Sequence, residues 1–131
     1  PRDQLAEARG LGDRAPARAG VAQLLLDRVH VTGNSPDSGG GGINLQNGHL
    51  RIRNSTISDN TAPSCSGINA GGFNNSLEVI NSTISGNQAT LSTGVGGGVC
   101  TTGYAAFRNV TIVRNHASYG GGIFQTANTL S

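Results

Sequence analysis

The chain contains no Trp, no Met and no Lys, and its 131 residues include only two Tyr and three Phe. So little aromatic volume excludes a core built on large rings. Charged residues make up 12%, about half of the usual ~25%. The formal net charge of +2 is too weak to draw nucleic acid or an anionic membrane onto the chain as a whole. Two cysteines are too few for a disulfide scaffold. No apolar run approaches the ~18–20 residues of a membrane helix, which excludes direct insertion by a helix. No secretory signal opens the sequence, which begins at Pro1 without a Met; it reads as a piece of a longer protein whose address lies elsewhere.

Glycine, by contrast, is abundant. Twenty-one of them would weaken helix interiors by up to ~1 kcal/mol each, which disfavours a helical bundle. Self-similarity organises the rest. Val31-Thr32-Gly33-Asn34, Ile57-Ser58-Asp59-Asn60, Ile84-Ser85-Gly86-Asn87 and Ile112-Val113-Arg114-Asn115 align, with closing asparagines 26, 27 and 28 residues apart. Six residues before three of these stands a second Asn (Asn54, Asn81, Asn109); Arg28 fills that slot in the first copy. A glycine before a β-branched residue recurs at Gly42-Ile43, Gly67-Ile68, Gly98-Val99 and Gly122-Ile123. An apolar-x-apolar pair recurs at Leu24/Leu26, Leu50/Ile52, Leu77/Val79 and Ala105/Phe107.

Length varies only between these fixed points, as expected of rigid strands joined by adjustable loops. Each unit predicts three short strands with period-2 alternation. There is no room for a crossover helix, and the turn chemistry is wrong for tight hairpins. The remaining solution is an all-β, single-stranded solenoid with coils ~4.8 Å apart. It is expected to be a right-handed parallel β-helix, by the crossover rule for parallel strands. Val31, Ile57, Ile84 and Ile112 would form one internal column, and Leu26, Ile52, Val79 and Phe107 another. The asparagines at 34, 60, 87, 115, 54, 81 and 109 would form structural columns, tolerating left-handed turns and bonding one another coil to coil. Residues 1–20 lie outside the repeat and read as a linker or the remnant of an N-terminal cap. Residues 21–131 carry the repeats, with a fifth coil just beginning at Leu130.

The phased Ile-x-x-Asn-x-Ala units (Ile57 to Ala62, Ile84 to Ala89, Ile112 to Ala117) and their Gly-Gly-x-Ile-like runs resemble the repeats of bacterial polymorphic outer-membrane proteins. They are also similar to the β-helix repeats of large surface-anchored bacterial proteins. The likeness covers about residues 24–131; Pro36 replaces the Ala in the first copy, and Ser66-Gly67 replaces Gly-Gly in the second. It implies an extracellular or cell-surface address and a non-catalytic structural or adhesive role, with a glycan or a host or cell-surface protein as partner. It implies no cofactor. The alternative is a fragment of a carbohydrate-active β-helix enzyme, a polysaccharide lyase or glycoside hydrolase, whose catalytic coils lie outside the segment.

Catalysis here would need carboxylates gathered as an acid/base pair or as metal ligands. Asp27, Asp37, Asp59 and Glu78 are the only ones in the repeat, and no two share a column. The glycine runs hold no Asp for a calcium roll and precede no Gly-Lys-Ser/Thr phosphate loop. His30, His49 and His116 fall at different repeat positions and predict no metal site. The Thr/Ser row Thr56/Ser58, Thr83/Ser85 and Thr111 is too short and interrupted for ice binding. Cys65 and Cys100 lie in adjacent coils at registers several residues apart. A bridge needs Cα atoms within ~7 Å, so separate thiols are expected over a disulfide. Four Asn-x-Ser/Thr sequons begin at Asn54, Asn74, Asn81 and Asn109; a glycan on the column asparagines is expected to disturb the stack. Contact residues are expected on the two longest loops and among the aromatics: Phe73, Asn74, Leu91, Thr93, Tyr104 and Tyr119.

Overall fold

The computed structural model describes residues 23–37, 40–72 and 75–126. The expected linker at 1–20, Phe73, Asn74 and Leu130 lie outside the described residues. In chain order the strands are β1 (Gln23–Asp27), β2 (His30–Thr32), β3 (Ile43–Asn44), β4 (Gly48–Arg53), β5 (Thr56–Ser58) and β6 (Thr61–Ala62). They continue as β7 (Ile68–Ala70), β8 (Asn75–Ser85), β9 (Gln88–Ala89), β10 (Val99–Thr101), β11 (Tyr104–Val113) and β12 (Ile123–Gln125). Every strand pairing is parallel, as a solenoid requires.

The repeat phase sets the register. Leu24, Leu50, Leu77 and Ala105 stack, as do Leu26, Ile52, Val79 and Phe107. Val31, Ile57, Ile84 and Ile112 form the next column, and Ile43, Ile68, Val99 and Ile123 line the third face. In the middle coils these side chains are fully buried, with Ile52, Ile57, Leu77, Val79 and Ile84 at 0% exposure. Each such burial stabilises by roughly 1.5–3 kcal/mol, and an isolated coil would realise almost none of it. A fourth, two-stranded ladder (β6–β9) follows the closing asparagine, which the sequence did not reveal. It turns Ala62 and Ala89 inward.

The two asparagine columns divide the work assigned to them jointly. The closing column is internal: Asn60 and Asn87 are completely buried. Asn60 donates from its backbone N–H (3.0 Å) and its amide Nδ2 (2.9 Å) to Asn87 Oδ1, and from Nδ2 to Val31 O (3.1 Å). Asn87 repeats the pattern one coil on, donating to Asn115 Oδ1 and Ile57 O. Asn34 donates to Asn60 in the same way, and Asn115 donates to Ile84 O. Buried amides are tolerated because their capacity is used.

The outer column behaves differently. Arg28, Asn54, Asn81 and Asn109 all take positive φ (59°, 53°, 49° and 57°) and are exposed. Asn109 donates to Asn81 Oδ1 at 2.6 Å, and Asn54 to Asp27 Oδ1 at 3.0 Å. Of the two asparagine columns only this outer one is left-handed, and Asn meets that geometry because its short polar side chain tolerates the region. The sequon side chains of this column are exposed, yet the Nδ2 atoms of Asn54 and Asn109 make these bonds from coil to coil. Between them lies a serine ladder missed in the sequence. Ser55 Oγ accepts from Val29 N–H, Ser82 Oγ accepts from Ser55 N–H (both 3.0 Å), and each hydroxyl donates to the carbonyl two residues back.

The expectation of separate thiols is also corrected: Cys65 and Cys100 form a disulfide, with Cα atoms 5.3 Å apart. The reason lies three residues before the third-face strands. Gly40, Gly96 and Gly120 sit there with φ of 82°, 63° and 62°, and Cys65 occupies the same position at 53°. In this conformation a Cβ points at the outward residue four positions on; one built on Gly96 would meet Cys100 Sγ. Glycine at 96 therefore leaves the room that the Cys100 sulfur fills, and Cys65 reaches it from the neighbouring coil. The register offset that counted against a bridge is spanned by the left-handed turn.

Candidate functional site

Period-2 alternation on the first face points one set of side chains inward and the other into solvent. The pattern is plain in β4, where Gly48, Leu50 and Ile52 are buried and His49, Arg51 and Arg53 exposed. In-register stacking then assembles outward rows across β1, β4, β8 and β11. Gln23, His49, Ser76 and Tyr104 form the first; Leu25, Arg51, Glu78 and Ala106 the second; Asp27, Arg53, Ile80 and Arg108 the third. Four of the five described arginines (Arg28, Arg51, Arg53, Arg108) lie on this face or its corner, with only two of the four described carboxylates.

Both carboxylates are held. Glu78 accepts from Arg51 Nε at 2.7 Å on one coil and from Arg108 Nη2 two coils further along. The hydrogen bond from Arg51, reinforced by the charges of Arg51 and Arg108, keeps the Glu78 carboxyl below its ordinary range. Asp27 accepts from Asn54 and lies 3.5 Å from Arg53 Nε and 3.4 Å from Arg28 Nη2. The Asn54 hydrogen bond, then the Arg28 and Arg53 charges, lower its pKa likewise. Carboxylates so stabilised are poor proton donors near neutrality, because a general acid needs a raised pKa. His49 Nδ1 hydrogen-bonds Ser76 Oγ across the coils.

A groove of about 480 Å³ runs over this face, lined among others by Gln23, Leu25, His49, Arg51, Ser76 and Glu78. It is an open trough. Leu25 (49% exposed) and Tyr104 (50% exposed) offer apolar surface at its margins. Among the described residues Arg51 and Arg53 meet their carboxylates through Nε, and their side chains remain 56% and 44% exposed. Among the described residues no cluster of three His, Cys, Asp or Glu could hold a metal ion.

The residues expected to make contacts do not form one site. Tyr104 continues the first outward row, next to Ser76 at the end of the trough. Leu91, Thr93 and Tyr119 are exposed elsewhere, on a corner where the 91–94 turn (Gly94 N–H to Leu91 O, 2.8 Å) is bonded to Ser118 and Tyr119. Phe73 and Asn74 lie outside the described residues. The arginine and carboxylate rows were not singled out from the sequence. Their signal is the outward position of each apolar-x-apolar pair: Leu-Arg-Ile-Arg at 50–53, Leu-Glu-Val at 77–79 and Phe-Arg at 107–108.

Comparison with protein-family models, with curated proteins and with solved structures finds no match. The architecture therefore stands on the repeat and the parallel register, and function rests on the chemistry of the outer face.

Proposed function

We propose that this chain is a stretch of a non-catalytic structural or adhesive scaffold, displayed on a cell surface or secreted, that presents a fixed outer face to a partner. The observation that carries the reading is the pairing of Asp27 and Glu78 with arginines on the first face. A face whose carboxylates are locked in ion pairs is set up for contact rather than proton transfer. The address is supported by the disulfide, since such bonds persist in oxidising compartments. The repeat's resemblance to polymorphic outer-membrane proteins supports it too. Rigidity comes from the asparagine and serine ladders beneath.

The test is incubation of the protein with a panel of polysaccharides and cell-surface extracts, measuring both retention and newly released reducing ends. Retention without cleavage is the expected result. Cleavage abolished by Asp27→Asn or Glu78→Gln would overturn the reading and favour the alternative of a carbohydrate-active enzyme.

A further inference from the structure

We infer that the first outer face is a binding surface for an anionic polysaccharide, laid across the coils along the trough beside Arg51 and Arg53. The inference rests on the adhesive reading above and adds the chemical class of its partner.

Three observations converge. The first is charge: four arginines against two carboxylates leave this face with an excess of two positive charges, while the remaining described side chains, Asp37, Asp59 and Arg114, sum to a negative one. Among the described residues the positive charge is thus concentrated on one surface. The second is the state of those arginines. Glu78 and Asp27 engage the Nε of Arg51 and Arg53 and so orient both side chains, which stay about half exposed with Nη1 and Nη2 outside those contacts. A planar fork held this way presents parallel N–H donors matched to a carboxylate or sulfate.

The third observation is shape. The trough is open and crosses coils at ~4.8 Å intervals, which admits an extended polymer whose units repeat on a similar length. Its first row, Gln23, His49 and Ser76, offers one hydrogen-bonding side chain per coil, and Tyr104 continues the row on the next coil. The exposed Tyr104 ring and Leu25 supply apolar surface for the face of a sugar ring. Double-stranded nucleic acid fits less well, because an excess of two positive charges on this face neutralises few of a duplex's closely spaced phosphates.

The experiment is retention of the full chain on immobilised polygalacturonate, heparin and neutral dextran, with duplex DNA as a fourth arm. Binding to polygalacturonate or heparin that weakens as NaCl is raised is the expected result, with dextran unbound; the stronger arm identifies carboxylate or sulfate as the recognised group. Arg51→Gln combined with Arg53→Gln should weaken it by about tenfold or more, the worth of a hydrogen bond to a charged group. Leu25→Glu places a carboxylate beside Arg51 in the same row, where it competes for the guanidinium, and should weaken binding too. Arg114→Gln, off the face, should not. Thermal melts check that each variant is folded. Equal retention on dextran, stronger retention on DNA than on either polysaccharide, or folded Leu25→Glu binding like the parent would overturn the inference. Absence of polysaccharide binding alone would refute the polymer and leave the scaffold reading standing; cleavage of the probe would refute the scaffold.

Discussion

Cys65 stands where three other coils place glycine, and this makes one substitution decisive. The position has φ of 53°, beside 82°, 63° and 62° at Gly40, Gly96 and Gly120. A left-handed backbone costs an L-residue with a Cβ roughly 1–2 kcal/mol, a cost glycine escapes. The bridge to Cys100 spans 35 residues, and the chain-entropy relation assigns a loop of that length about 4 kcal/mol. The disulfide thus outweighs the strain at its own anchor. In a Cys100→Ala background the bridge is gone and only the strain remains. Stability there, read by urea denaturation, should fall by about 2–4 kcal/mol relative to the oxidised parent. Adding Cys65→Gly should leave a protein about 1 kcal/mol more stable than adding Cys65→Ala. At an ordinary strand position the order reverses, with Gly about 0.5–1 kcal/mol worse than Ala. The sign alone decides: if Ala at 65 is the more stable, the position is not left-handed and the account of the bridge fails.

The two asparagine columns should respond in opposite ways. Asn87→Ala strips the acceptor from Asn60 N–H and Nδ2 and the donor from Ile57 O. At about 1–3 kcal/mol per orphaned buried group, a loss of at least ~3 kcal/mol is expected. Asn109→Gly, at an exposed left-handed corner, should stay within about 0.5 kcal/mol of the parent; equal losses at both sites in thermal melts would contradict the division between columns. Ile84→Asp puts a carboxylate into a fully buried column and should abolish the cooperative transition, since an unpaired charge has no partner there; an intact transition counts against the sealed interior. Because the folded pKa values of Asp27 and Glu78 are lowered, their contribution is present above the unfolded carboxylate range and is lost as pH falls through the folded values. The melting temperature of the parent should therefore drop more between about pH 5 and pH 3 than that of Asp27→Asn/Glu78→Gln, and parallel curves would refute the ion pairs.

Much of the architecture was legible because in a parallel coil the residue one repeat away is also the neighbour in space. Aligning Val31, Ile57, Ile84 and Ile112 is the same act as stating a strand register. What escaped depends on conformation rather than sequence neighbourhood. The asparagines at 54 and 60 look alike in a repeat, yet one is an exposed left-handed corner and the other a buried rung. The disulfide was discounted by counting register along extended chain, and a turn at positive φ moves a side chain by more than that count allows. One signal was visible: Gly40, Cys65, Gly96 and Gly120 all precede the third-face residue by three. The outer face was half legible. Its positions follow from alternation, but its ion pairs depend on Arg108 reaching Glu78 from the adjacent coil.

This asymmetry has a physical origin. Inward positions answer to several constraints at once: each must fill a column, avoid its own coil's turn and match the residue above. Their identities therefore repeat, and repetition can be read. An outward position is constrained only by what it meets outside the coil, so Leu25, Arg51, Glu78 and Ala106 share a row without sharing a residue type. Such irregularity is where a solenoid can carry specificity without loss of fold. Yet the outer rows inherit their spacing from the ladders below. Glu78 meets Arg51 and Arg108 because Leu77 and Val79 on either side of it are fixed beneath Ala105 and Phe107 and above Leu50 and Ile52. A change at an inner rung should thus be felt at the trough, whereas a change in the trough leaves the rungs as they are.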